Sequence, residues 1–287
     1  MSTGTGRKHL VISPARNEQD FIERTILSMI NQTVIPTMWI IVDDGSEDRT
    51  TDIVENYLRR FSWIRLLRLP NRGYYSYGTG IINAFNTGLN LVDKDNFDYV
   101  TKLDCDLEFE TNYFEQVFVE FENDNTLGIA GGQLYVFENG RWEEEKIIRY
   151  FAPGPAKTYR KAAFDQIGGL IPSPGWDTMD AVRAWSNGWT TRVLPFCKIC
   201  HMRHTGANVN THLNYAKTFY IIGGHPLFFL ARCLYRLKDR PLLIGSVLTL
   251  LGYLWYGLIA RPEKWRDARD RQNLRRFQIE RLKHLRI

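Results

Sequence analysis

IIVDDGS at 40–46 and VTKLDCDLEF at 100–109 each carry an apolar, β-branched run into a pair of aspartates, Asp43 with Asp44 and Asp104 with Asp106. Such a run reads as a strand buried on both faces, and the change to acidic residues marks its carboxyl end. The two pairs are therefore expected to converge on one edge of a sheet. A third pair, Asp177 and Asp180 in GWDTMDAVR (175–183), has the i, i+3 spacing of a helix and opens an amphipathic stretch.

Further strand candidates flank these two: His9 to Ser13, Ile64 to Leu69 and Gly128 to Phe137, with the first two runs read as Trp39 to Val42 and Tyr99 to Leu103. Helix-like patterns separate them at Glu18 to Ile30, Asp48 to Phe61, Gly80 to Leu91 and Tyr113 to Glu122. Ser46 stands where an N-cap belongs for the second helix. Strand and helix alternating in this way predict an α/β fold, a mostly parallel sheet sandwiched by helices in the Rossmann-like manner. Ligands of such sheets bind beyond the carboxyl ends of the strands, where Asp43, Asp44, Asp104 and Asp106 fall. From Glu138 to Pro195 the pattern is less regular, with PGP at 153–155, IGGLIPSPGW at 167–176, a helix-like DTMDAVRAWSNG and a short strand Thr191 to Leu194.

The 287 residues suffice for one large α/β domain or two small ones, and the content rules out a disordered chain. The net charge is only +5, but Arg261–Ile287 holds ten Lys/Arg against four Asp/Glu, so a polyanionic neighbour is expected there. Leu242 to Ala260 is 19 residues without a charge, at the threshold for crossing a bilayer. Basic flanks on both sides argue for a hairpin or interfacial helices on an anionic membrane surface rather than a single span, and the adjoining apolar run favours lipid over nucleic acid. The division expected is a catalytic domain at 8–214 and a helical, membrane-associating segment at 215–287. The four scattered cysteines do not make a disulfide framework, and the apolar run before Pro14 is too short for a signal peptide. The expected place is the cytoplasmic face of a membrane, monotopic or as a re-entrant hairpin.

Residue chemistry gives the acidic clusters distinct possibilities. A carboxylate followed by Gly-Ser can accept hydrogen bonds from a ligand beside a helix N-terminus, although an Asx turn explains DDGS equally well. Two carboxylates one residue apart at a strand end can hold one hard divalent cation and leave positions for phosphate oxygens, so Mg2+ or Mn2+ with a diphosphate is the natural occupant of Asp104–Asp106. Asp177 can act as a general base, whereas Asp180 reads as a structural acid.

In this order the clusters resemble the family 2 glycosyltransferases of the GT-A fold, over about residues 8–206. The segments that carry the likeness are SPARNE (13–18), VDDGS (42–46), NRG (71–73) with a later AFNTGL, LDCD (103–106), KTYRKAAFDQIGGL (157–170) and GWDTMDAVRAWSNGW (175–189). One departure is Trp176, which stands where glutamate usually precedes the catalytic aspartate. The resemblance implies that Pro14, Arg16, Glu18 and Asp44 contact the base and ribose, and that Asp104 and Asp106 bind nucleotide and metal, with Asp106 the direct ligand. Asp177 then deprotonates the acceptor hydroxyl for inverting, hexosyltransferase-like attack without a covalent intermediate.

CKICHMRH (197–204) has spacings found in zinc sites and in c-type haem attachment, but four ligands within eight residues leave little loop to wrap zinc, and haem attachment needs export. In the GT-A fold a histidine soon after the base helix completes the metal site, which points to His201 ahead of His204. Arg203 is a candidate for steadying diphosphate, and Arg160, Lys157 and Trp176 are candidate phosphate or acceptor contacts. Tyr74, Tyr75 and Tyr77 are equally suited to sugar stacking and to loop packing.

The expected reaction uses a UDP-, GDP- or dTDP-linked sugar and a lipid-linked or growing polysaccharide acceptor, as in envelope or exopolysaccharide assembly. Transfer to polyprenyl phosphate is the alternative, and a silent nucleotide-sugar-binding scaffold the alternative outside enzymes. A nucleotidyltransferase would carry a Gly-rich basic loop where this chain has PARNE. The Q-x-x-R-W of processive synthases has only a near match at Gln272 to Arg275, without the Trp, so one addition per encounter is expected.

Overall fold

The computed structural model describes residues 7–74, 76–138, 140–203, 209–238 and 244–283. The chain divides into two compact units, Met1–Pro172 with Asn187–His204, and Ser173–Ser186 with Thr205–Ile287.

The first unit begins with the predicted alternation: β1 (His9–Ala15), α1 (Ile22–Ile30), β2 (Met38–Asp43), α2 (Thr50–Leu58), β3 (Ile64–Arg68), α3 (Thr79–Leu89) and β4 (Tyr99–Leu103). β3, β2, β1 and β4 pair in parallel in that order. Leu10, Val11, Ile12, Ile40, Ile41 and Val42 are buried without alternation because helices cover both faces. α3 approaches closely through Gly88, where a Cβ would lie 2.7 Å from the Val42 side chain.

Beyond β4 the sheet is mixed. β5 (Leu107–Phe109), α4 (Tyr113–Asn123), β6 (Leu127–Glu138), β7 (Arg141–Glu144), β8 (Ala156–Arg160) and α5 (Lys161–Gln166) follow, and after residues assigned to the second unit the chain returns as β9 (Thr190–His201). The order is β3-β2-β1-β4-β8-β6-β9-β5, with β7 on β6. β8 is antiparallel to β4 and β6, whereas β9 is parallel to β6 and antiparallel to β5. Four steps along this path would separate β4 from β5 by about 19 Å in a flat sheet. Only Asp104, Cys105 and Asp106 join the two strands, a link that reaches at most about 14 Å from Leu103 to Leu107. The sheet must therefore curl, and the two aspartates sit on the short link that closes the curl. Thr25 on α1 holds the far side, its hydroxyl donating to the Leu107 carbonyl and accepting from the Leu107 N–H at 2.8 and 3.0 Å.

The second unit is helical. It contains α6 (Trp176–Ser186), α7 (Val209–Ile221), α8 (Pro226–Tyr235), α9 (Ile244–Trp255) and α10 (Ala268–Lys283). Phe219, Phe228, Phe229 and Cys233 form its core with Tyr215, Leu250, Tyr253 and Leu282. Trp185 packs on Phe277 at 4.4 Å between ring centroids, which fastens α6 to α10. α9 continues through a five-residue wide turn, Tyr256–Ala260, and stops at Arg261 in the left-handed region. No helix among the described residues is long and apolar enough to cross a membrane.

Several expectations are corrected. Ser46 does not cap α2, which begins four residues later; its hydroxyl instead accepts the Asn17 N–H at 2.9 Å. Lys157 and Arg160, which no predicted strand included, lie on β8. The boundary expected at 214 falls inside α7, and α6 packs in the second unit.

Candidate active site

The loops after β1 and β2 brace each other. Asn17 adopts the left-handed region at φ 54°, which turns its side chain to accept the Glu47 N–H at 2.9 Å. Gly45, at φ 73°, lets the chain pass Asn71 so closely that a Cβ would meet the Asn71 Cα at 2.4 Å. Arg16 joins the two loops to Asn71, donating to the Asp44 carbonyl at 2.6 Å and to Asn71 Oδ1 at 2.8 Å. Arg72 grips both carboxylate oxygens of Asp44, at 2.8 and 2.6 Å. Burial pushes the Asp44 pKa up, and Arg72 and Arg16 only partly offset it. Arg16, Glu18 and Asp44, for which the family resemblance implies nucleoside contacts, thus belong to one braced loop pair, with Pro14 next to the last residue of β1. Glu18 is fixed by its N–H to Thr50 Oγ1 at 2.8 Å, and Pro14 receives the Cys105 thiol on its carbonyl.

Asp104 and Asp106 occupy the β4–β5 link. The Asp104 N–H donates to the Pro155 carbonyl at 2.8 Å, and its carboxylate receives the ammonium of Lys102, two residues earlier on β4. Lys102 is almost fully buried and also donates to the Gly154 carbonyl at 3.1 Å. Burial raises the Asp104 pKa against the pull of Lys102. Asp106 is buried as well. Its Oδ2 takes hydrogen bonds from His201 Nε2 at 3.2 Å and Arg203 Nε at 3.1 Å, while Oδ1 is buried without a partner among the described residues. Burial alone would push Asp106 up, but the hydrogen bond from His201 and the charges of His201 and Arg203 hold it below the usual carboxylate range. For His201 burial works the other way, yet Asp106 and Asp104 keep its pKa above the ordinary value. Arg203 also binds Glu18, whose burial beside Asp106 and Asp104 pushes its pKa up to about 7 despite that guanidinium.

The expected three-residue metal set of Asp104, Asp106 and His201 is not assembled as such. Among the described residues no three His, Cys, Asp or Glu side chains form a cation cluster, and the Asp104 carboxylate is paired with Lys102. The donors nevertheless fit Mg2+ or Mn2+: a buried carboxylate oxygen with no partner among the described residues and a second carboxylate two positions earlier, the hard oxygen donors such cations take.

Other candidates fall elsewhere. Arg160 pairs with Tyr99 at the start of β4, the end opposite Asp104, and donates to the Leu127 and Asp124 carbonyls at 3.0 and 3.2 Å; it ties down a turn and is not a phosphate contact. Lys157 is fully buried beside Lys102, with its ammonium 5.8 Å from the Phe151 ring centroid. In the second unit Trp176 and Asp177 form the first turn of α6, and Asp180 is buried with an oxygen accepting the Ala181 N–H. Tyr74 and Tyr77 are exposed, and Arg72 lies over the Tyr74 ring at 5.7 Å. His204 and Tyr75 lie outside the described residues. Cys197 is buried, with its thiol 3.3 Å from the Gln116 side chain. Sequence reasoning missed Lys102 and Arg72. The first hides inside a strand, while the second stands within NRG, where an arginine after the strand that follows an acidic pair is a usable signal.

A curled α/β sheet with a carboxylate-lined strand edge defines the GT-A glycosyltransferase class, and solved structures agree. The chain is similar to a mannosyltransferase of Pyrobaculum calidifontis in complex with GDP-Man and Mn2+, at TM-score 0.57 and 16% identity over 98% of this chain and 75% of that one. It is similar also to S. aureus TarS 1-349 in complex with UDP-GlcNAc, at TM-score 0.54 and 16% identity, over 88% and 73% of the two chains. The glycosyl transferase family 2 model matches residues 10–176, and the chain belongs to that family. A Bacillus subtilis (strain 168) relative, the uncharacterized glycosyltransferase EpsJ, is 39% identical over 126 residues, 44% of this chain and 33% of that protein. A chondroitin synthase of Pasteurella multocida (strain Pm70) is 27% identical over 127 residues, 44% of this chain and 12% of the synthase. The chain thus spans well under half the length of either curated relative.

Proposed function

We propose that the protein transfers a sugar from a nucleoside-diphosphate donor to a hydroxyl of a lipid-linked or growing polysaccharide acceptor, with inversion at the anomeric carbon. The observation that carries this reading is the buried Asp106 Oδ1, which has no partner among the described residues, while Arg203 and His201 hold the other oxygen. A buried polar atom left unsatisfied costs stability, so it is retained where a ligand completes it. The relatives support the class of donor, since neighbouring folds are held with GDP-Man and UDP-GlcNAc. A chondroitin synthase among the relatives favours a glycan acceptor.

The braced Arg16–Asp44–Arg72 loops hold the nucleoside in a fixed orientation, which lowers the entropy lost in reaching the reactive pose. Lys102 fixes the Asp104 carboxylate, and Arg203 stands beside Asp106 to offset phosphate charge. Asp106, with Asp104 or His201, would hold Mg2+ or Mn2+, which when bound would supply Lewis-acid stabilisation to the departing diphosphate. Asp177, matched to the family's base, takes the proton of the acceptor hydroxyl as its oxygen bonds to the anomeric carbon. The bond from that carbon to the phosphate oxygen breaks, and its electron pair leaves with the nucleoside diphosphate.

The test is a transfer assay with UDP-, GDP- and dTDP-sugars, Mg2+ or Mn2+, and lipid-linked acceptors. Asp177→Asn should lower the transfer rate about a thousandfold while donor binding persists. Transfer unchanged in that variant would remove Asp177 as the base, and failure of every donor to bind would overturn the enzymatic reading.

A further inference from the structure

The second unit carries an apolar surface that its own core does not use. On α8, Phe228, Phe229 and Cys233 turn inward, yet Leu227 and Leu234 on the other side of the same helix are 64% and 60% exposed. On α9 and its continuation, Leu250 and Tyr253 pack inward while Val247, Leu251, Leu254 and Leu258 are exposed at the i, i+4, i+7, i+11 spacing of one helical stripe. These helices are apolar nearly all round, a pattern that belongs to a helix with an apolar phase on its outer side. Trp255 and Tyr235, each more than half exposed, add the amphipathic aromatic rings suited to a headgroup layer.

The charge beside this face is equally one-sided. Arg261–Ile287 has six more Lys/Arg than Asp/Glu, whereas the whole chain has an excess of only five, so the rest of the chain is marginally acidic. Arg261, Lys264 and Arg266 follow directly on the exposed stripe and are themselves exposed. Ile244 to Ala260 is one continuous helical rod, about 25 Å long at 1.5 Å per residue. Among the described residues that is short of the roughly 30 Å of a hydrocarbon core, and the rod ends at the left-handed Arg261.

We propose that α8 and α9 dock on the headgroup layer of an anionic lipid bilayer, lying in the interface rather than crossing it. The leucine stripes enter the acyl boundary while the basic segment after Ala260 pairs with lipid phosphates. A second copy of this chain would cover the leucines but would bring the same positive charge against itself, so the charge pattern selects lipid. This docking goes beyond glycosyl transfer, and its test does not require turnover.

The test is sedimentation of the full chain with vesicles of phosphatidylcholine alone or mixed with phosphatidylglycerol, with circular dichroism to confirm folding of each variant. The chain should bind the anionic vesicles. L227Q/L251Q/L258Q, which alters only exposed positions, should lower binding at least about tenfold. R261Q/K264Q/R266Q should lower it by about fivefold for each charge removed, on anionic vesicles only. Wild-type binding no stronger than that of the leucine variant would overturn the proposal. So would light scattering that shows a stable dimer split into monomers by the leucine substitutions, which would make the face an interface between copies.

Discussion

The loops after β2 and β4 both end a buried parallel strand in acid, yet they are finished differently. Asp44 is already closed, with both oxygens held by Arg72. Asp106 is held on one oxygen only, by His201 and Arg203, and its other oxygen is buried with no partner among the described residues. The difference teaches which part of the site is complete in the protein alone. Under the proposed function the first loop is a prebuilt surface against which a nucleoside is oriented, and the second is a charged socket that a ligand completes.

Substitutions that convert one loop into the other test this contrast. The largest effect is expected from Asp106→Asn, which removes the charge that the socket offers and should lower kcat/KM about a thousandfold, measured with Mn2+ and the best donor. Lys102→Met should come next, because it leaves Asp104 without its buried cation. Chemical denaturation should show a loss of about 2 kcal/mol, the quarter-exposed Asp104 carboxylate moderating the cost of a broken buried pair. Arg72→Ala should raise KM about tenfold with kcat nearly unchanged, since orientation of the nucleoside is lost but the charge at Asp106 stays. An equal fall in kcat for Arg72→Ala would erase the distinction between the loops.

The smallest effect belongs to neither loop. His9 is buried between Phe114 and Phe118, donates or accepts one hydrogen bond with Thr101 at 2.7 Å, and has its pKa lowered by burial to about 3. The unfolded chain takes up a proton as pH falls through 6.5, while the folded chain does not until near 3. Stability is therefore retained above pH 6.5 and lost on acidification, by about 1 kcal/mol over the first pH unit below it and towards about 1.4 kcal/mol per unit after that. A pH series of denaturation midpoints should show this slope in the wild type and a flatter one in His9→Phe, which separates core titration from that of the two loops.

The parallel half of the sheet was legible because strands buried on both faces appear as unbroken apolar runs: Tyr99 to Leu103 agrees at both ends, and β1, β2 and β3 differ by a residue or two. The mixed half was not. β5 has three residues, too few for a periodic signal, and β8 reads AKTYR, whose buried Lys157 and end-on Arg160 imitate a solvated surface. The missing cap of α2 has a similar cause, since the hydroxyl of Ser46 is used by the neighbouring loop through Asn17. Within the site, the acids were legible from their place at strand ends. Their partners were less so, because a lysine inside a strand or an arginine after the neighbouring strand acquires its role only when the sheet brings it to Asp104 or Asp44.

The most direct measurement is a calorimetric titration of UDP, GDP and dTDP into the full chain, with Mn2+ and with a chelator, for the wild type and Asp106→Asn. At least one nucleoside diphosphate should bind the wild type about a hundredfold more tightly with Mn2+ than without, and Asp106→Asn should lose that gain. Equal affinity with and without the cation, unchanged by Asp106→Asn, would contradict the assignment of the open carboxylate oxygen to the ligand.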